Sequence, residues 1–149
     1  MKKIILISIL LISGLVTNAQ CNDELVERAK SRMTNDEVLL KEFKIELKEA
    51  DISSPAPVAK FSQKFEKNKK YRLRIISDKE KYNAEGIIKI FEGNRYLGTN
   101  HDVSSGKTYP YCDFKCSGSG DYKLLITFKD GKAGCAVVVV SYLGVWSKQ

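Results

Sequence analysis

The residue types able to carry chemistry in this 149-residue chain are four cysteines, one histidine, scattered acids and a late group of aromatics. Cys112, Cys116 and Cys135 fall in the last third, and Cys21 stands alone near the start. Such thiols serve as nucleophiles, zinc ligands or disulfides. A zinc site needs tightly spaced ligand pairs, whereas Cys112 and Cys116 fall on a predicted strand and His101 is the only imidazole. Their even spacing turns both to the face that carries Phe114. Along an extended strand their Cα atoms are about 13 Å apart, against the roughly 6 Å that a disulfide spans. Each therefore needs Cys135 or Cys21. The favoured pairing joins Cys116 to Cys135 and Cys21 to Cys112. Paired thiols are not nucleophiles.

His101 and Asp102 adjoin in one loop, with Ser104 and Ser105 close behind. Neighbours in a single loop cannot face each other as a Ser–His–Asp triad requires, and no G-x-S-x-G elbow occurs. The spacing of Asp51, Asp78, Asp102, Asp113 and Asp130 nominates no glycosidase pair. No D-x-D-x-D run offers a calcium loop. No catalytic residue, metal or cofactor is expected. The better candidates are aromatic: Tyr109-Pro110-Tyr111, with Tyr96 and Trp146, can present a flat platform to a sugar ring or a protein. Tyr109, Tyr111 and Trp146 are the candidate ligand-binding residues. The competing expectation places alternate aromatics in the core and Trp146 over the open end of the fold.

Compartment follows from the first 19 residues. Lys2 and Lys3 precede the apolar run IILISILLISGLV, and Thr17-Asn18-Ala19 supplies a small residue at a cleavage position, the pattern of a secretory signal peptide. The run is too short to span a bilayer with margin, and no other stretch approaches about 18 apolar residues. Its NAQ ending is similar to secretory signals of Bacteroidota, which implies a periplasmic, outer-membrane-associated or extracellular product. Export into an oxidising space makes two disulfides the first reading of four cysteines. A rival for Cys21 is a lipid anchor, since Asn22-Asp23-Glu24 resembles the start of some surface lipoproteins. Gln20 stands where a lipobox wants Gly, Ala or Ser, which disfavours it. Removing Lys2 and Lys3 lowers the formal charge from +7 to +5. The remaining lysines concentrate between residues 60 and 81. They read as the solvent face of two strands and as protection against edge pairing rather than as an anion site. Nucleic acid is not an expected partner.

The elements that must position these residues can be read in chain order. Leu25, Val26, Ala29 and Met33 make one apolar stripe of a short helix, opened by Asn22 or Asp23 and ended by Thr34-Asn35-Asp36. Residues 20–37 are therefore helix and linker. Phe43, Ile45 and Leu47 alternate with charge in a strand from about 39 to 49. Pro55 and Pro57 mark a loop. Ala59, Phe61 and Phe65 share a face of the next strand, and Tyr71, Leu73 and Ile75 a face of the one after. Residues 77–84 read as polar loop. Residues 86–99 form a hairpin about the two-residue turn Gly93-Asn94, and residues 98–107 read as loop. A strand from 108 to 116 follows. Then Tyr122, Leu124, Ile126 and Phe128 alternate with polar neighbours, and CAVVVVSYL is apolar enough for a strand covered on both faces. The last two strands are expected to pair as a core hairpin.

About eight strands, a short N-terminal helix and no βαβ unit predict an all-β fold. Residues 38–149 read as an antiparallel β-sandwich with jelly-roll or immunoglobulin-like wiring. The succession KFSQKFEKNKKYRLRI, IIKIFEGNRYLGT and SGSGDYKLLITF, within residues 57–143, resembles small β-sandwich modules that accompany secreted bacterial enzymes. These are the pre-peptidase C-terminal-like and carbohydrate-binding-like modules. The cysteines Cys116 and Cys135, the N-terminal helix and the missing catalytic domain depart from that pattern. The resemblance implies an architecture that hosts many functions. The expected function is a non-enzymatic accessory or structural subunit of a cell-envelope assembly, partnered by an envelope protein. The alternative is a glycan-binding module using exposed aromatics.

Overall fold

A computed structural model describes Cys21 and residues 23–146. The signal-peptide reading of residues 1–19 and the Asn22 cap lie outside the described residues. Helix α1 (Asp23–Ser31) leads to strands β1 (Val38–Leu47), β2 (Ala59–Phe65) and β3 (Lys69–Ser77). A one-turn helix α2 (Lys79–Tyr82) precedes β4 (Gly86–Glu92), β5 (Arg95–Thr99), β6 (His101–Asp102) and β7 (Lys107–Thr108). Then come β8 (Tyr111–Lys115), β9 (Gly120–Phe128) and β10 (Gly134–Val145). The eight longer strands build two four-stranded sheets, ordered β1-β10-β3-β8 and β2-β9-β4-β5, and β6 pairs with β7. Every pairing is antiparallel. The all-β sandwich with its N-terminal helix is as the alternation predicted.

Two apolar clusters hold it. Between the sheets, Leu73 and Ile75 of β3, Ile88 and Ile90 of β4, Leu124 and Ile126 of β9, and Val138 and Val140 of β10 interdigitate. Phe65 anchors one end, with its ring centroid 4.5 Å from Tyr71, 5.3 Å from Phe114 and 5.4 Å from Tyr122. The second cluster lies on the outer face of the first sheet. There Leu25, Val26 and Ala29 of α1 cover Ile76, Val137 and Val139. Strand β10 is therefore buried on both faces, as its unbroken valine run implied. Ion pairs Lys30–Glu42 at 2.9 Å and Lys44–Asp23 at 2.5 Å rim the helix against β1.

The structure corrects two expectations. Strands β9 and β10 do not form a hairpin. β9 pairs with β2 and β4, and β10 with β1 and β3, in opposite sheets. A 3-10 turn (Lys129–Gly131) carries the chain across, and Gly134 lets the backbone pass the Phe128 ring, which a Cβ would meet at 2.4 Å. Local alternation identifies strands but says nothing of which strand each one joins.

The second correction concerns the cysteines. Cys135 bonds Cys21, not Cys116, with Cα atoms 5.5 Å apart. Parity explains it. Cys135 shares the helix-covered face with Val137 and Val139, whereas Cys116 sits between the sheets with Phe114 and Tyr122. Cys112 and Cys116 are free thiols, on one face as expected, but neither of the expected bridges forms. The segments read as loops also gain structure. Asp78 caps α2 by accepting from the Lys81 N–H at 3.1 Å, and residues 101–108 close a two-rung ladder. The strand expected from 108 to 116 is divided by Tyr109 and Pro110.

The bond joins residues 114 apart in sequence. A loop that long is worth about 4–5 kcal/mol through the unfolded chain. Cys135→Ser is therefore expected to lower the unfolding free energy in urea by that order. Cys116→Ser should leave α1 in place and should cost less. Intact mass of the mature protein is expected two hydrogens below the reduced chain, with two thiols alkylated after unfolding. A loss of four hydrogens would contradict this pairing.

Candidate functional site

On the outer face of the first sheet, beyond the end of α1, a charged network replaces apolar packing. Arg72 and Arg74 alternate with core residues on β3, so both guanidiniums stand on the outer face. The linker after α1 lays Glu37 across them. Its carboxylate accepts from Arg74 Nη2 at 2.6 Å, Arg72 Nη1 at 3.3 Å, the Ser141 hydroxyl at 2.7 Å and the Thr34 N–H at 3.2 Å. Arg72 also grips Asp113 of β8 with both prongs, at 2.7 and 3.0 Å. Burial opposes ionisation of Glu37, but the Ser141, Thr34 and Arg74 hydrogen bonds outweigh it and hold the carboxyl at about 2. The Arg72 hydrogen bond likewise lowers Asp113. This cluster fastens linker to sheet. Within it Arg74 Nε is buried without a hydrogen-bond partner among the described residues.

The three candidate aromatics are not brought together. Tyr111 opens β8 on the outer face, with Arg72 4.0 Å and Arg74 5.2 Å from its ring centroid, so one ring face is already occupied. Trp146 lies at the other end of β8, where the Lys115 ammonium sits 5.4 Å over its ring. Its backbone N–H donates to the Asn68 carbonyl at 2.8 Å, and its indole nitrogen is buried without a partner among the described residues. The four-residue rise of β8 separates the two rings by roughly 13 Å. Tyr109 stands elsewhere, in the segment between β7 and β8, with 44% of its surface exposed.

The remaining candidate groups are taken up locally. His101 Nδ1 lies 3.0 Å from the Thr108 hydroxyl. Asp102 accepts from the Ser104 and Ser105 hydroxyls at 2.6 and 2.7 Å, and these bonds hold its carboxyl at about 2. Serine, histidine and aspartate here form turn contacts rather than a relay. The Cys112 thiol is pushed up to about 12 by burial and by Asp113. Among the described residues, no group of three His, Cys, Asp or Glu side chains is arranged to hold a metal ion.

A cleft of about 330 Å³ lies between the end of α1, the end of β3 and the Thr108–Pro110 segment. Arg28 and Arg32 form one wall, Tyr109 and Pro110 another. Asn100, buried beneath, fixes the second wall. Its amide donates to the Tyr109 and Gly86 carbonyls at 2.9 and 3.1 Å, and its carbonyl accepts from Ile88 N–H at 2.7 Å. The Tyr109 N–H donates to the Asn100 backbone carbonyl at 2.8 Å, and Ile75 N–H donates to that of Pro110 at 2.9 Å.

Sequence reasoning missed both the Glu37 network and this cleft. The network left a trace, because Ser141 is the one polar residue that ends the valine run of β10 and the Arg72/Arg74 alternation needs an acid. The cleft left none, since its walls come from segments some 80 residues apart. No protein-family model matches the chain, and no curated protein matches it in sequence.

Because Glu37 titrates lower folded than unfolded, its contribution is complete above its ordinary pKa of 4.5 and is lost as pH falls towards about 2. Glu37→Gln is expected to cost about 3–5 kcal/mol at pH 7 by leaving the buried Arg74 guanidinium without its carboxylate, while Arg72 keeps Asp113. It should also flatten the loss of stability between pH 4.5 and pH 2. Urea unfolding at several pH values measures both.

Proposed function

We propose that this chain is an exported, non-enzymatic β-sandwich serving as an accessory or structural subunit of a cell-envelope protein assembly. The carrying observation is the start of β1. Val38, Leu39 and Leu40 are 57, 41 and 45% exposed, on the edge strand of the first sheet. Three consecutive exposed apolar residues on a sheet edge suit a protein partner better than water. The ladder to β10 slips between Leu39 and Lys41, so the edge is bulged there. A bulge discourages indiscriminate strand addition while still presenting side chains. The readings of compartment and chemistry agree with this role. A bond between Cys21 and Cys135 suits an oxidising space, as the signal-like N-terminus does. It also uses the sulfur that a lipid anchor would need, and Cys21 is buried under α1, which supports an unlipidated chain. Among the described residues no helix is long and apolar enough to cross a membrane.

A glycan-binding module is the second reading, and the exposed Tyr109 beside a preformed cleft favours it.

For the first reading, the tagged mature protein and its Leu39→Asp/Leu40→Asp variant are to be crosslinked in, and purified from, the native envelope. The wild type is expected to bring down one protein in stoichiometric amount. The variant should lose it by about tenfold or more, with circular dichroism and Tm unchanged. Equal recovery by both proteins, or recovery of the chain alone, would overturn the assignment.

A further inference from the structure

We infer that the cleft between α1 and the Thr108–Pro110 segment binds an acidic saccharide, a sugar unit bearing a carboxylate or sulfate. The inference rests on the glycan reading of this cleft and is independent of the β1 edge. Three observations carry it.

The first is unspent charge. Arg28 and Arg32 lie one helical turn apart and share the cleft wall. Neither guanidinium has an ion pair among the described residues, whereas Lys30, the third cation of that turn, is bound to Glu42 at 2.9 Å. Of the two acids lining the cleft, Glu85 is held by Lys79 at 2.9 Å and approached by Lys129 at 3.9 Å. That leaves Glu80 alone against two arginines. The Lys107 ammonium sits 5.0 Å from the ring centroid of Tyr109, a residue of the opposite wall. Guanidinium forks match planar oxyanions, so the excess is of the kind that selects a carboxylate or sulfate.

The second is the opposite wall. Tyr109 and Pro110 line it, and ring surface of this kind meets the apolar face of a pyranose. A bare inorganic anion has no use for such a wall. The third is rigidity. Asn100 binds both the N–H and the carbonyl sides of Tyr109, and β3 holds Pro110, so the wall is in place before any ligand arrives. The volume of about 330 Å³ admits one or two sugar units.

The test is calorimetric titration of the oxidised mature protein with galacturonate oligosaccharides, with neutral galactose oligosaccharides of equal length, and with inorganic phosphate. Saturable binding to the first alone is expected. Arg28→Ala/Arg32→Ala should weaken it by about tenfold or more, since each charge-assisted hydrogen bond lost costs at least that factor. Tyr109→Ala should weaken it too, while Lys60→Ala/Lys64→Ala on β2 should not. All five substituted residues are exposed, and unchanged Tm values show that the variants fold. Equal binding of neutral and acidic sugars would overturn the acidic specificity and leave the glycan reading standing. Phosphate competing as well as galacturonate would reduce the cleft to a general anion site and overturn the inference. Absence of binding to both sugar series would overturn the inference and the glycan reading together.

Discussion

The structure depends on the burial of β10 on two faces. Ala136, Val138 and Val140 close the space between the sheets, while Val137 and Val139 meet the apolar stripe of α1. Each fully buried valine contributes on the order of 1.5–3 kcal/mol of transfer free energy, and β10 does so on both of its faces. This constraint dictates the rest. A strand buried on both sides must be central, and it lies between β1 and β3. Its outer face needs a lid, which is α1. The lid is short, and an isolated helix of this length is not stable in water. The Cys21–Cys135 bond and the rim ion pairs with β1 hold it in place.

Where the valine run stops, the packing chemistry changes. Ser141 marks the boundary, and from there outward the sheet is covered by the Glu37, Arg72, Arg74 and Asp113 network. Burying these charges costs desolvation, and the full set of hydrogen bonds to Glu37 offsets it. The network fixes the linker that joins α1 to β1, which leaves Val38 to Leu40 presented at the sheet edge. It equally fixes the end of α1, which carries Arg28 and Arg32 to the cleft. Both candidate surfaces are thus by-products of how the lid is tied to β10.

Much of this was legible in the residues. Alternation in Tyr122 to Phe128 and the unbroken apolar run after Cys135 identified β9 and β10, and Gly93-Asn94 identified the β4–β5 hairpin, with Gly93 at a φ of +59°. What remained hidden is non-local. Periodicity assigns a face to a residue but not a partner to a strand, so β9 and β10 read as neighbours although they lie in opposite sheets. The disulfide was within reach of parity. Cys135 is in step with Val137 and Val139, and Cys116 with Phe114, so the two point into different layers. Arg72 and Arg74 read as a solvated face because the acid that claims them is more than 30 residues earlier. The cleft is assembled from the end of a helix, the end of a strand and a proline-containing bend, and no local pattern encodes such a meeting.

Hydrogen–deuterium exchange of the oxidised mature protein tests the central claim most directly. If double burial of β10 organises the fold, the amides of residues 136–141 exchange last, at the rate of global unfolding. Reduction of the Cys21–Cys135 bond then speeds exchange in residues 23–31 before it affects the edge strands β5 and β8. Exchange of residues 136–141 as fast as that of β5 or β8 would contradict the account.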